Sequence, residues 1–323
     1  MIPFVEVDTA DPHLRYRTFD RAEWADLRHH DEHILLDAHR IDVLKSIHDH
    51  LTNEDIEEVY LPLLRFIELH IEATRGLVRA TSKFLRVENP RRMPFVVGIA
   101  GSVAAGKSTV ARVLQELLSH PRRGFKVALV TTDGFLLPSD ELEARGLMQR
   151  KGFPESYDAK LLMDFLSTLK NGGERASAPV YSHVKYDRVP GESVVVERPD
   201  ILILEGLNIL QGPPHEGRGA DKRVVSDFID LSIFMHAEEE LLKSWYVHRF
   251  LAFRRTVFSH PESHFRRYAG LSDAEAVETA SDIWETINGK NLRENILPTR
   301  YRADVILNKS GGHRIDSVEI KNR

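Results

Sequence analysis

A lysine and a hydroxyl residue closing a glycine-bounded loop can hold the tail of a nucleoside triphosphate. The stretch Gly101-Ser102-Val103-Ala104-Ala105-Gly106-Lys107-Ser108 has that arrangement. Gly101 and Gly106 give the backbone freedom to turn its N–H groups inward on phosphates. Lys107 then reaches the β- and γ-phosphates, and the Ser108 hydroxyl can ligate Mg²⁺. Two carboxylates complete the set, Asp133 and Glu205. One can hold the metal or its water shell, and the other can accept a proton from an attacking hydroxyl. These residue types point to phosphoryl transfer. They leave the acceptor open between water, a protein and a small molecule.

Such residues need strands and helices to present them. The apolar run "FVVGIA" before the loop reads as a buried strand, and Thr109–Leu118 after it has helical spacing. The N-terminal partial positive charge of that helix faces the same anions. "KVALVTT" precedes Asp133, and "DILILEG" carries Glu205; both read as strands. In open parallel sheets ligands bind beyond the carboxyl ends of the strands, so both acids are expected to face the triphosphate. "FIDLSIFMHA" and "ADVILNK" read as two more strands. Asp158 is expected to cap a helix carrying Leu161, Leu162, Phe165, Leu166 and Leu169, with Gly172 beyond its end. Strands alternating with helices predict an α/β fold: a P-loop NTPase-like parallel sheet with helices on both faces.

Residues 1–92 are expected to form a helical N-terminal extension packed on the core, with residues 93–323 as the P-loop core and one compact domain overall. Thr52-Asn53-Glu54-Asp55 is a capping-box pattern, followed at helical spacing by Ile56, Val59, Tyr60, Leu63, Phe66, Ile67 and Ile71. Pro62 either kinks that helix or opens a second one at its first turn. "RVENPRRMP" then reads as a linker.

The 323 residues, 42% hydrophobic and 29% charged, have the composition of a soluble globular protein with a core of useful size. The formal net charge of -5 gives no bulk electrostatic case for a nucleic-acid partner. With no cysteine, disulfides, thiolate nucleophiles and cysteine metal sites are excluded. The N-terminus lacks the apolar centre of a signal peptide, and no apolar run is long enough to span a bilayer, so a cytoplasmic protein without a membrane partner is expected.

A GTPase switch would place an aspartate after "VILNKSGG"; Asn308 and Lys309 are present, but Gly311 stands at the aspartate position. A motor or chaperone ATPase would carry further domains. A small-molecule kinase needs an acid near the γ-phosphate and a pocket. "KGFPESYDA" and "APVYSHVKYDRVPG" supply polar and aromatic loop material, where His183 and Tyr186 can hydrogen-bond a polar substrate. Tyr246, Phe250, Phe253 and Val257 share one helix face, with Arg249 beside it. That arginine can neutralise charge on a transferring phosphoryl group. Arg254-Arg255 and Arg266-Arg267 read as solvated pairs.

The stretches "GSVAAGKST", "TTDGFLLP", "RKGFPESYD", "PVYSHVKYD", "PDILILEGLNIL", "SWYVHRF" and "NILPTRYRA" together resemble bacterial type I pantothenate kinase. They occur in that family's order from about Gly98 to Ala303, and "VYLPLLRFI" nearer the N-terminus resembles it too. The resemblance implies ATP- and Mg²⁺-dependent phosphorylation of pantothenate to 4'-phosphopantothenate, the first step of coenzyme A synthesis. The alternative is a related kinase acting on a nucleoside or sugar phosphate. It implies Asp133, Lys107 and Arg249 as catalytic residues, with Ser108 and Glu205 toward the metal. It implies Gly101 through Thr109 (Ser102, Val103, Ala104, Ala105 and Gly106 among them) and His313 as nucleotide contacts. His183, Tyr186, Tyr246 and Asn288, with Asp133 and Arg249, match residues that hold pantothenate. It also implies inhibition by coenzyme A, through Arg112, Lys151, His183 and an aromatic pocket of Phe250, Phe253, Phe258 and Phe265. A homodimer is implied as well. Two departures stand out: Ala105 where valine is expected, and His48 near where an asparagine is expected beside the adenine.

Overall fold

The computed structural model describes residues 15–28, 34–46, 49–88, 92–212 and 223–322. The described chain begins with strand β1 (Tyr16–Asp20) and short helices α1 (Arg21–Ala25) and α2 (Ala38–Leu44). A π-helical turn, Ile56–Tyr60, leads into the long helix α3 (Leu61–Phe84). Strand β2 (Phe95–Gly101) and helix α4 (Lys107–Leu118) flank the phosphate loop. Then come β3 (Val127–Thr131), α5 (Ser139–Ala144) and α6 (Ala159–Lys170). The hairpin β4 (Arg175–Ser182) and β5 (Asp187–Glu197) precedes β6 (Ile201–Glu205) and β7 (Leu231–His236). Helices α7 (Glu239–Arg255) and α8 (Asp273–Ile283) and strands β8 (Val305–Lys309) and β9 (Ile315–Lys321) complete the fold.

The main sheet has the order β1-β9-β8-β7-β2-β6-β3. Five consecutive members, β8, β7, β2, β6 and the edge strand β3, pair in parallel, and β9 pairs antiparallel with both β8 and β1. Every residue of β2 and β6 is buried, which explains why both read as unbroken apolar runs rather than alternating ones. Five of the expected strands and the helix after the loop are therefore present. The Asp158 cap is also found: its side chain accepts from the Leu161 N–H at 2.9 Å, and α6 follows. Pro62 takes the second of its two expected roles, in the first turn of α3 after the π-helical turn.

Two expectations are corrected. The N-terminal segment is not wholly helical, because Tyr16–Asp20 adds a seventh strand at the sheet edge. Tyr16 anchors that strand, donating its phenol proton to the Ala303 carbonyl at 2.7 Å. The polar stretch around residues 178–191 is not loop alone but the tip of the β4–β5 hairpin, with a register shift between Pro179 and Tyr181. Trp24, Leu63 and Ile67 from the N-terminal part share one buried cluster with Val97, Leu114 and Ile233 of the sheet core. Among the described residues no helix is long and apolar enough to cross a membrane.

Candidate active site

The phosphate loop is shaped by three residues in the left-handed region. Gly101 has φ +141°, and a Cβ there would lie 2.6 Å from the Met235 carbonyl oxygen. Ala104 has φ +64° although it carries a side chain. Gly106 has φ +89° and immediately precedes α4. A Cβ on Gly106 would meet Lys309 Nζ at 2.7 Å and Asp49 Oδ1 at 3.1 Å, so the loop closes tightly there. Lys107 begins α4 and is only 8% exposed. Its ammonium donates to the Ser102 carbonyl at 2.8 Å. Burial pulls its pKa down, against the opposing pull of Glu205 and Asp133.

Parallel pairing of β3 with β6 sets Thr131 opposite Glu205, which places the two acids at adjacent strand ends. Glu205 accepts a hydrogen bond from the Ser108 hydroxyl at 3.1 Å. Burial raises the pKa of its carboxyl, with Lys107 acting against the rise. Asp133 sits in the turn Thr132–Phe135, with its backbone N–H 3.4 Å from Thr131 Oγ1. It is more open than Glu205, and His183 Nε2 lies 4.0 Å from its Oδ2. No group of three or more His, Cys, Asp or Glu suited to a metal occurs among the described residues. A hard divalent cation here would therefore take Ser108 and Glu205 from the protein and its remaining oxygens from phosphate and water. The hydroxyl–carboxylate pair fits such an ion.

Beside the loop lies a second charged cluster. Asp49 Oδ1 is 3.2 Å from Lys309 Nζ and 3.3 Å from His313 Nδ1. Its other oxygen accepts from the Thr109 hydroxyl. Burial pushes the Asp49 carboxyl up, but His313, Lys309 and Thr109 more than offset this and hold it well below the usual carboxylate range. The His313 ring stacks on Trp245 at 4.0 Å between centroids. Arg112 closes the outer side, donating to the Leu44 carbonyl at 2.8 Å and the Ser46 hydroxyl at 2.9 Å.

Helix α7 brings Arg249 to the same cleft, which Ala104, Lys107, Ser108, Trp245 and His313 also line. Its guanidinium carbon is 6.0 Å from the centroid of the Tyr246 ring. Burial lowers the Arg249 pKa, against the opposing pull of Tyr246, Asp49 and Asp133. Burial raises the Tyr246 phenol pKa, with Arg249 and then Asn288 acting against the rise. The hairpin tip contributes Tyr186, whose ring lies 4.3 Å from Lys151 Nζ and 4.7 Å from the Phe265 centroid. Lys151 donates to the Ser139 hydroxyl at 3.1 Å and is buried. Phe250, Phe258, Phe253 and Phe265 form a separate small core with Tyr268, Ala276 and Ala280.

The phosphoribulokinase / uridine kinase family matches residues 96–257. A pantothenate kinase of Rhodopseudomonas palustris (strain HaA2) is 51% identical over 308 residues, which is 95% of this chain and 96% of that protein. The chain belongs to the pantothenate kinase family. A second member, from Bradyrhizobium sp. (strain ORS 278), is 49% identical over 306 residues, again 95% of this chain and 96% of that one. D-glycerate 3-kinase from Cryptococcus neoformans var. grubii serotype A shares the fold, with TM-score 0.50 at 18% identity over 76% of this chain and 97% of that chain.

Set beside this pantothenate kinase family architecture, the expected site residues fall into groups. The loop, Arg249, His313 and Asp49 line one cleft, and Glu205 and Asp133 act on Lys107 from beside it. Tyr186 and Lys151 are in contact, while His183 is largely exposed on the hairpin tip. Thr109 directs its hydroxyl to Asp49 and Ser46. Arg254 corrects the expectation of solvated arginines: it is buried and bonds to the Leu271 carbonyl and Asp273. His48 lies outside the described residues. Sequence reasoning missed its neighbour Asp49, whose only signal was a carboxylate in a helix-poor stretch ahead of a distant lysine and histidine.

Because folding lowers its pKa, Asp49 favours the folded state above the unfolded carboxyl value near about 4 and loses that contribution as pH falls. Asp49→Asn is expected to destabilise the protein by about 2 kcal/mol at neutral pH, since Lys309 is left buried without its counter-charge. Urea melts across a pH series check this. The gap from wild type should narrow below pH about 4, and a pH-independent gap would rule out the carboxylate charge as its source.

Proposed function

We propose that the chain transfers the γ-phosphoryl group of ATP to the primary hydroxyl of pantothenate, giving 4'-phosphopantothenate for coenzyme A synthesis. The observation carrying this reading is the gathering of the Ser108–Glu205 pair, Asp133 and Arg249 around Lys107. The names of relatives about half identical over nearly the whole chain support pantothenate as acceptor. Backbone N–H groups of the loop and the start of α4 bind the phosphates, and Lys107 neutralises charge at the β- and γ-positions. Ser108 and Glu205 would hold Mg²⁺, which would supply screening of the phosphate charge. Asp133 orients the acceptor hydroxyl in line and takes its proton. Arg249 stabilises charge on the moving phosphoryl group. Tyr246, Asn288, Tyr186 and His183 hold the acceptor, and His313 with Asp49 faces the nucleotide.

Coupled ADP release measured with pantothenate, uridine and ribulose 5-phosphate tests this reading. The name of the matched family keeps the second and third acceptors in play. Turnover confined to either of them would replace pantothenate by a nucleoside or sugar phosphate.

The family resemblance carries further proposals. Coenzyme A inhibits the enzyme by occupying part of the ATP site, through Arg112, Lys151 and the phenylalanines near Tyr186. Coenzyme A is then expected to raise the apparent KM for ATP without changing the limiting rate. Initial rates over a grid of both concentrations check this, and purely noncompetitive inhibition would exclude overlap. The enzyme works in the cytoplasm as a homodimer. The outer half of α3, with Leu77 69% exposed and Phe84 84% exposed, offers apolar surface for a second copy. Light scattering that returned a monomer mass would refute the dimer, and fractionation placing the native protein with membranes would refute the compartment.

A further inference from the structure

Two hydroxyls beneath the carboxylates are buried and lack a partner of good geometry: Thr132 Oγ1 and Tyr157 OH. Thr132 is only 2% exposed and directly precedes Asp133. Its hydroxyl occupies the space a side chain on Gly206 would need, since a Cβ there would lie 2.1 Å from Thr132 Oγ1. Gly206 directly follows Glu205. Tyr157 comes from a different segment, stitched to the Asp133 turn by backbone bonds. Leu137 N–H donates to the Ser156 carbonyl at 2.8 Å, and Asp158 N–H to the Phe135 carbonyl at 2.8 Å. An antiparallel bridge joins Leu136 to Tyr157 itself. The Thr132 hydroxyl and the Tyr157 phenol act on one another across this seam without forming a bond of good geometry.

Buried hydroxyls without partners are rare and costly, so their survival in a packed site calls for a reason. Each of the two hydroxyls carries a proton that no neighbour accepts with good geometry. The charge acting most strongly on the phenol is Asp133, with Glu205 further down. Asp133, which directly follows Thr132, is thus the carboxylate nearest in the chain to these unplaced protons. We propose that Thr132, packed over the bare Cα of Gly206, and Tyr157 form a positioning element that fixes how Asp133 stands relative to Glu205 during phosphoryl transfer. Neither hydroxyl touches substrate; both act through Asp133. This rests on the role given to Asp133 above.

The test uses full-length Tyr157→Phe, Thr132→Val, the double variant and Thr132→Ser. Each of the first two should lower kcat about tenfold, with KM for ATP and acceptor within about twofold of wild type. The double variant should be no slower than the worse single one, because either change breaks the same pair. Thr132→Ser keeps the hydroxyl and should return most of kcat. Fluorescent-nucleotide binding should be unchanged throughout. Unchanged kcat in Tyr157→Phe, multiplicative losses in the double variant, or a rise in KM in place of the fall in kcat would each overturn the proposal. If Thr132→Val does not fold, Tyr157→Phe and Tyr157→Phe/Thr132→Ser carry the same comparison. Wild-type turnover on pantothenate is the separate control. If wild type prefers another hydroxyl acceptor, the assignment of pantothenate falls, and the variants compared on that acceptor still decide the positioning role.

Discussion

Lys107→Ala is expected to give a folded protein whose phosphoryl transfer is slower by about a hundredfold or more. The ammonium is buried at the first turn of α4, where its pKa is depressed by desolvation and supported by Glu205 and Asp133. A charge held there in a dry, acid-lined cleft acts on phosphate oxygens far more strongly than it would in water. Alanine removes that charge and keeps the best helix-forming residue at the position. The helix does not depend on Lys107, because Val110, Val113, Leu114, Leu117 and Leu118 bury its inner face. Stability should therefore change little, and relief of the buried charge offsets some of the lost contact. Circular dichroism and a thermal melt establish folding, and single-turnover rates establish the loss. A folded variant with near-normal turnover would remove Lys107 from the phosphate site.

The parts of this fold that were legible are those where local pattern and burial agree. The strands β2 and β6 are buried on both faces, so an apolar run was their signature. The glycines of the phosphate loop were readable because only a few residue types tolerate the φ values found at Gly101 and Gly106. Strand β1 was not readable. Its five residues alternate weakly, and it exists because β9, some three hundred residues later, offers an edge; Tyr16 pairs with Lys321. The hairpin β4–β5 was hidden by its polar, aromatic tip and its proline-associated register shift. Asp49 was invisible for a different reason. Its role comes from Lys309 and His313, which tertiary folding alone brings within 3.3 Å. Arg254 shows the same limit in reverse: its helical context suggests solvent, and the loop at Leu271 buries it.

Asp133→Asn separates two roles that a carboxylate at this strand end can play. The side chain stays the same size and keeps one acceptor oxygen, but it no longer takes a proton. If Asp133 orients and deprotonates the acceptor hydroxyl, turnover should fall by about a hundredfold or more while ATP affinity changes little. Transfer passes through a loose transition state, so much of the benefit lies in holding the hydroxyl in line rather than in early proton removal. The structure already gives Ser108 a different carboxylate partner, Glu205, at 3.1 Å. Asp133, by contrast, is more open and lies near His183 on the hairpin tip. The competing role makes opposite demands. If Asp133 held the metal, the variant should bind ATP poorly at low Mg²⁺, and added Mg²⁺ should restore part of the rate. Titrating both ATP binding and single-turnover rate against Mg²⁺ distinguishes the two. Rescue would move the metal to Asp133 and make Glu205, which ends the neighbouring strand, the next group to examine for the proton. A rate that stays low at every Mg²⁺ concentration, with ATP binding intact, assigns the loss to the acceptor hydroxyl rather than to the metal.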